Sequence, residues 1–436
     1  MNNSIWTDVS CRPKFAKLKT DKKTDVLIVG GGIAGILCAY QLKQAGIDYM
    51  LVEANRICSG ITENTTAKIT SQHGLIYAKL AKQFGLEKAK MYLQANEAAL
   101  GAYRSLSKEF PCDFEEKDAF VYSTEDLQAL EEECETLRAM GYTPNLETEL
   151  KLPFPVVGAV KFPKQAQFHP LKFLYSLAQD LIIYENTPIR EFVETTAITD
   201  ACQIHADKII MATHFPIINK HGMYFLKLYQ QRSYVLALEN AQNVGGMYID
   251  AAKNGLSLRN YSGLLLLGGG GHRTGKQGGN WAALKDFASI HYPNAGIAWQ
   301  WATQDCMSLD GVPYIGQYSN STPKLYVATG FNKWGMTSAM AASLILRDLV
   351  QDKENAYAPV FSPSRHILRK QLAVNGWEAA TNILSFSKKR CPHLGCALKW
   401  NRAEHSWDCP CHGSRFTEEG KLLDNPATGN LKQNNT

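Results

Sequence analysis

No stretch of the 436-residue chain is apolar for long enough to cross a bilayer. The longest apolar runs, such as Leu264–Leu267, fall far short of the roughly 20 residues that a spanning helix needs. The polar segment Met1–Thr24 lacks the apolar core of a secretion signal, so a cytoplasmic protein is expected. Charge of one sign is lacking too: Lys and Arg number 46 against 41 Asp and Glu, a net of +5, with no long basic block. Nucleic acid is therefore not an expected partner. Internal repeats and low-complexity tracts are absent as well. What is present is the composition of an ordinary globular protein, 45% hydrophobic and 20% charged. The length allows two or three domains, including a large core domain with an appended module.

The chain opens with a strand–helix–strand pattern. Asp25–Val29 is a short β-branched run, Ile33–Ala45 has helical apolar spacing and stops at Gly46, and Asp48–Glu53 is a second strand. Amphipathic helices are expected at Ala78–Phe84, Glu87–Phe110 and Thr124–Met140, among short strands, as inserted substrate-domain material. Lys208–Ala212 and Leu325–Ala328 read as buried parallel strands. The glycine run Gly268–Gly271 reads as a strand-end loop, because Arg273 interrupts it and no helical pattern follows. A second nucleotide site is therefore not expected. Pro359 to about Lys389 has little periodicity and reads as a connection.

Eleven cysteines in a chain of this length do not suggest a disulfide scaffold. Seven, Cys11 through Cys306, are scattered and expected to be buried and inert. The other four fall within residues 391–411. There the pattern is Cys391-x-His393, fifteen residues, then Cys409-x-x-His412. Two thiolates and two imidazoles can close a tetrahedral zinc site. They can equally hold a [2Fe–2S] cluster with both Cys on one iron and both His on the other. Zinc needs four ligands and six candidates are present, since Cys396 and Cys411 follow the two pairs symmetrically.

The same segment resembles the Rieske proteins of cytochrome bc type. The resemblance implies Cys391, His393, Cys409 and His412 as metal ligands, and Cys396 and Cys411 as a disulfide joining the two loops. Gly395 and Gly413 also match, as loops packed close to a cluster require. Ser414 is retained, but Phe416 stands where the high-potential family has a hydrogen-bonding Tyr, which implies a lower potential. Upstream, Arg365 to Arg390 leaves little room for the strands of a full Rieske domain. The module is expected to lean on the larger domain for its fold.

The first strand runs into Gly30-Gly31-Gly32-Ile33-Ala34-Gly35, and Glu53 ends the second strand 18 residues later. Such glycines permit a tight turn and let a pyrophosphate approach the helix N-terminus, while the acid accepts from ribose hydroxyls. This motif alone does not separate FAD from NAD. The chain resembles the FAD-dependent D-amino-acid oxidase superfamily, which includes glycine and sarcosine oxidases, over about residues 24–352. Beyond the glycine motif the resemblance rests on Ser59-Gly60-Ile61-Thr62 with Thr65-Thr66-Ala67-Lys68, and on Ala212-Thr213. It ends at Asp310-Gly311-Val312-Pro313-Tyr314-Ile315-Gly316 and Ala328-Thr329-Gly330-Phe331-Asn332-Lys333-Trp334-Gly335-Met336. It implies cofactor contacts from Gly30, Gly32, Ile33, Ala34, Gly35 and Glu53, then from Thr62, Thr66 and Ala67. Further contacts are implied for Ile189, Ala212, Thr213, Gly330, Trp334, Gly335 and Met336.

The expected architecture is α/β: a Rossmann-like FAD-binding domain with an inserted α+β substrate domain, plus a small C-terminal β Rieske module. The oxidoreductase is expected over 24–365, with substrate inserts at roughly 75–200 and 220–310, a linker at 366–389 and the module at 390–432. Several members of the superfamily hold a substrate carboxylate with an Arg just before the Asp-Gly-x-Pro segment. Here that stretch reads Thr303-Gln304-Asp305-Cys306, leaving Arg232, Arg259 or Arg273 as replacements. His73 and Lys68 are the candidate catalytic side chains, and no general base can be assigned. Cys306 is expected to be a buried structural cysteine rather than a flavin attachment point. No 2-His-1-carboxylate grouping for an oxygenase can be read. The leading expectation is an FAD-dependent dehydrogenase acting on a small amine or an amino or hydroxy acid. Electrons would pass singly through the [2Fe–2S] cluster to an external acceptor, either a protein or a quinone. A simple O₂-using oxidase and a non-catalytic redox sensor or electron-transfer protein are the alternatives.

Overall fold

The computed structural model describes residues 3–9, 12–218, 221–253, 255–366, 368–385, 387 and 389–432. Cys11 and parts of the expected linker lie outside them. The β-branched run of the first strand, Lys22–Val29, sits at the centre of a sheet and pairs in parallel with Tyr49–Val52 and Gln203–Met211. Gln203–Met211 pairs in turn with Leu325–Thr329. Between the first two strands runs the helix Ile33–Gln44, apolar on nearly every side and packed against the helix Gly335–Leu349. A helix without a polar face belongs in a core, and this one is buried along most of its length. The expected helices of the middle region form at Ile76–Phe84, Leu86–Glu109 and Leu127–Ala139.

A second, nine-stranded sheet stands beside the first and ends in the long pair Leu228–Glu239 and Gly296–Ser308. Its third strand, Leu264–Arg273, corrects the reading of the glycine run: Gly268–Gly271 lies inside the strand. The glycines serve close packing there. A Cβ on Gly270, which has φ +60°, would lie 2.2 Å from the carbonyl oxygen of Asn280, at the start of the helix Asn280–His291. That helix was not expected either.

The C-terminal module is a four-stranded antiparallel sheet, Lys399–Asn401, Ser406–Asp408, Arg415–Phe416 and Leu422–Asp424. Its small core gathers Cys391, Cys396, Leu398, Cys409, Cys411, Phe416 and Ala427. Where a connection was expected, Lys370–Leu384 forms a helix. It buries Asn375 and Asn382 and leaves Trp377 and Leu384 exposed. Its polar residues do the packing: Asn375 donates to the Leu226 carbonyl, and the Asn382 carbonyl accepts from Ala397 in the first cysteine loop.

Candidate active site and cluster site

The first strand ends in a turn that only glycine can make. Gly30 has φ +111°, and a Cβ there would lie 2.6 Å from the carbonyl oxygen of Ala212. A Cβ on Gly35 would lie 1.8 Å from the Gly30 carbonyl oxygen, so helix and turn pack backbone to backbone. Glu53 accepts from the Gly31 amide at 2.7 Å and the Asn55 amide at 2.8 Å, which pins the turn. Burial pushes its carboxyl up, against those two hydrogen bonds. Thr62 Oγ1 accepts from the Ile33 amide at 3.1 Å and so caps the helix in place of Gly32, which has no side chain.

The first turn of this helix opens on a cavity of about 360 Å³. Of the residues expected at the cofactor, Gly32, Ile33, Ala34, Thr62, Thr66, Ala212, Trp334, Gly335 and Met336 line it. Gly30, Gly35, Glu53, Ala67, Thr213 and Gly330 shape its surroundings without lining it, and Ile189 packs in a separate core. A helix N-terminus, a glycine turn with no room for a Cβ and an adjoining cavity together fit a dinucleotide pyrophosphate. A second cavity of about 500 Å³ adjoins the first and shares Lys253, Leu256 and Gly271 with it. That cavity is lined by Gly278, Gly279 and Ala283 at the start of the helix Asn280–His291, but the Gly30–Gly35 turn after the central parallel strand adjoins the smaller cavity, which makes the smaller one the better cofactor site.

His73 and Lys68 both line the first cavity. His73 is fully engaged: Nδ1 lies 2.7 Å from the Tyr92 hydroxyl, Nε2 lies 2.8 Å from the Thr70 carbonyl oxygen, and the ring stacks on Trp334. Burial pushes it down to about 3, so it is neutral and builds the wall. Lys68 Nζ donates to Ser257 Oγ at 2.9 Å, and burial with the nearby Arg259 lowers it to about 7. Cys306 also lines the cavity; burial pushes its thiol up to about 12, so it is protonated and unreactive. The other scattered cysteines among the described residues are buried too.

The two cysteine loops of the module are built alike. Gly395 donates to the Cys391 carbonyl and Gly413 to the Cys409 carbonyl, each at 2.9 Å, and both glycines have positive φ. The Cys391 and Cys409 thiols come within hydrogen-bonding reach of each other. The His393 and His412 rings lie 5.0 Å apart, edge to face. His412 Nδ1 is buried without a hydrogen-bond partner among the described residues. Cys396 and Cys411 form a disulfide. The sulfurs of Cys396, Cys409 and Cys411 also cluster, but two of them are bonded to each other, which removes them as metal donors. Two thiols, two imidazoles and a stranded ring nitrogen fit a [2Fe–2S] cluster.

The module leans on the long strand pair. Gln230 Nε2 donates to the His412 carbonyl at 2.8 Å, and Gln304 Nε2 to the Gly413 carbonyl at 2.9 Å. Two of the three arginines considered for substrate are taken up by the module. Arg273 donates to the Pro410 and Cys411 carbonyls. Arg232 is buried in an ion pair with Glu404, which also pairs with Arg415. Arg259 is fully buried between Trp6 and Tyr261, behind the cavity lining and near Lys68, and its guanidinium nitrogens have no hydrogen-bond partner among the described residues. Sequence reasoning missed Gln230, Gln304, Glu404 and His214, which lines the cavity just after Ala212-Thr213. Its place beside that motif was the one available signal.

These two sites define an FAD-dependent oxidoreductase that carries a Rieske centre. The chain belongs to the FAD dependent oxidoreductase family, which matches residues 25–349, and a Rieske [2Fe-2S] domain matches residues 362–435. The family binds FAD and the Rieske domain binds a [2Fe–2S] cluster, so the zinc alternative falls away. The chain is 34% identical to YhfW of Bacillus subtilis, named as a Rieske 2Fe-2S iron-sulfur protein, over 99% of this chain and 97% of that one. Its C-terminal loops are 54% identical to the cytochrome b6-f complex iron-sulfur subunit of Nostoc punctiforme, over 8% of this chain and 21% of that one. The fold is that of glycine oxidase from Geobacillus kaustophilus, at TM-score 0.66 and 20% identity, covering 79% of this chain and all of that one.

Phe416 is fully buried in the module core beside the cysteines. Phe416→Tyr is expected to add a hydroxyl donor near a cluster sulfur and raise the midpoint potential in a redox titration followed by EPR. An unchanged potential with full cluster content would show that the ring edge points away from the cluster.

Proposed function

We propose that the chain is a dehydrogenase for a small amine, amino acid or hydroxy acid that delivers electrons singly, through its Rieske cluster, to an external acceptor, protein or quinone. The observation that carries this reading is a shared wall. On the strand Leu228–Glu239, Gln230 and Arg232 reach the module, Ser233 and Val235 line the flavin cavity, and Tyr234 touches both. On the neighbouring strand, Gln304 reaches the module and Thr303 and Asp305 line the cavity. Side chains alternate along a strand, so one sheet layer serves both sites.

In this reading the residues lining the cavity, with Glu53 securing the glycine turn, hold FAD; Cys391, His393, Cys409 and His412 hold the cluster. When bound, FAD supplies a hydride acceptor and the cluster a one-electron carrier. Lys68 and Asp305 put opposite charges in the cavity, the pairing that a zwitterionic amino acid requires. Lys68 holds a carboxylate best when charged, and burial has lowered it to about 7. His73, neutral and hydrogen-bonded at both nitrogens, keeps the Trp334 ring in position. The amine or amino acid class agrees with relatives of this fold named glycine oxidase, L-proline dehydrogenase and L-amino acid deaminase. No helix among the described residues is long and apolar enough to cross a membrane; a cytoplasmic location belongs to the same proposal.

The test is an anaerobic screen of amino acids, secondary amines and hydroxy acids. The expected result is bleaching of the flavin, followed within turnover time by the EPR signal of a reduced Rieske centre. Bleaching with a cluster that stays oxidised, alongside rapid O₂ consumption, would favour the oxidase. No bleaching by any compound would favour a redox sensor.

A further inference from the structure

Among the side chains that tie the module to the oxidase, Gln230 links a cluster loop to a residue of the flavin cavity wall. Gln230 lies in the strand Leu228–Glu239, buried among both domains. Its amide nitrogen donates to the carbonyl oxygens of His412, at 2.8 Å, and Asn425, at 3.1 Å. Its amide oxygen lies 3.2 Å from Nε2 of His214, a residue that lines the flavin cavity. There is no slack around it: a Cβ on Gly413 would lie 2.6 Å from the Gln230 Cβ. The neighbouring Phe215 closes the gap, its ring 6.1 Å from that of His412 and 6.3 Å from that of His393. Asn425 ties the module to the same turn by donating to the Thr213 and Phe215 carbonyls.

The two histidines are not equivalent in this setting. His412 is 3% exposed, its ring packed against Phe215 and Phe225 of the oxidase, whereas His393 is partly exposed and flanked by exposed Pro392 and Leu394. We propose that Gln230 is the positioning residue of the relay, fixing the module in one orientation with His412 as the cluster's inward edge and His393 as its outward edge. The inference rests on the dehydrogenase reading and makes it specific: the module is docked for transfer and does not swing. One substrate loses two electrons and two protons, so the docked arrangement is used twice per turnover. A cluster held by Cys391, His393, Cys409 and His412 would accept one electron per passage and give it to the one-electron acceptor before the next, and the two protons would leave to solvent. Gln230 moves no electron or proton itself; it holds the inward edge at a fixed separation, and small misplacements of this kind carry large rate penalties.

The experiment uses the full-length chain with both cofactors and reduces the flavin with light, so no substrate need be known. In the unaltered protein, cluster reduction is expected to follow flavin photoreduction promptly. Gln230→Leu keeps the bulk and removes both hydrogen-bonding functions. FAD and iron content should be unchanged, but flavin-to-cluster transfer should slow by at least about tenfold. Backbone hydrogen exchange across residues 409–416 should rise. Gln230→Glu keeps the acceptor toward His214 and loses the donor toward His412, so it should resemble Gln230→Leu. A merely structural residue would change exchange without changing transfer in proportion. Transfer and exchange as in the unaltered protein, in both variants, would overturn the positioning role. No photoreduced electron reaching the cluster in the unaltered protein would instead overturn the dehydrogenase reading beneath it.

Discussion

Purified His412→Ala protein is expected to keep its FAD and to lose both irons and both acid-labile sulfides. His412 supplies one of two imidazoles, and its Nδ1 is buried with no hydrogen-bond partner among the described residues. A three-donor site of Cys391, His393 and Cys409 cannot complete both irons. The glycine turn and the flavin cavity lie on the other side of the sheet and depend on other residues. Reduction of the flavin by substrate should therefore proceed at a similar rate. Steady-state reduction of a one-electron protein acceptor should fall by at least about tenfold. Iron and sulfide analysis, stopped-flow absorbance and acceptor assays on one preparation provide the check. Undiminished acceptor reduction after complete cluster loss would falsify the relay.

Glu404→Leu should detach the module. Glu404 accepts from Arg232 and Arg415 and from the Tyr234 hydroxyl, all in a buried setting. Without it Arg415 keeps Asp408 and Asp424, but Arg232 is left as a buried charge with no carboxylate. Breaking such a pair from one side costs about 3–5 kcal/mol, whereas replacing both partners with apolar side chains is often neutral. Arg232→Met combined with Glu404→Leu should thus recover most of the loss. Denaturant midpoints of the three proteins settle the comparison. A single variant that loses less than about 1 kcal/mol would show that the pair does not hold the module.

The same pair sets an acid limit. Burial pushes the Glu404 carboxyl up, and Arg232 and Arg415 more than offset this, holding it at about 2. A carboxyl depressed in the folded state stabilises fully above its ordinary range and loses that stabilisation as pH falls toward the depressed value. Docking should therefore weaken between about pH 4 and pH 2, and the double variant should lack that component.

The parts of this molecule that were legible in its sequence are those whose chemistry is local. The glycine turn lies within six residues, and each cluster loop carries its Cys, His and Gly within a few positions of one another. What was not legible depends on distant partners. Gln230 and Gln304 are ordinary strand residues until the loop at 412–413 is brought against them. The helix Lys370–Leu384 escaped because it inverts the usual pattern, burying asparagines and exposing Trp377 and Leu384. Gly268–Gly271 misled for a related reason: glycines usually break a strand, but here a neighbouring helix start presses on the backbone. Arg232 was read as a possible substrate ligand because its carboxylate partner lies 172 residues away in another domain.

The alternation along Leu228–Glu239 has a consequence for modularity. Gln230 and Arg232 serve one site and Ser233 and Val235 the other, so a one-residue insertion upstream in that strand would exchange the two sets. A buried arginine would enter the flavin cavity, and the module would meet a short serine where its ion pair should be. The two halves are therefore not interchangeable parts joined by a tether. A Rieske module taken from another protein would find no matching surface unless this strand were rewritten with it, and neither half can drift in sequence along this seam without the other following.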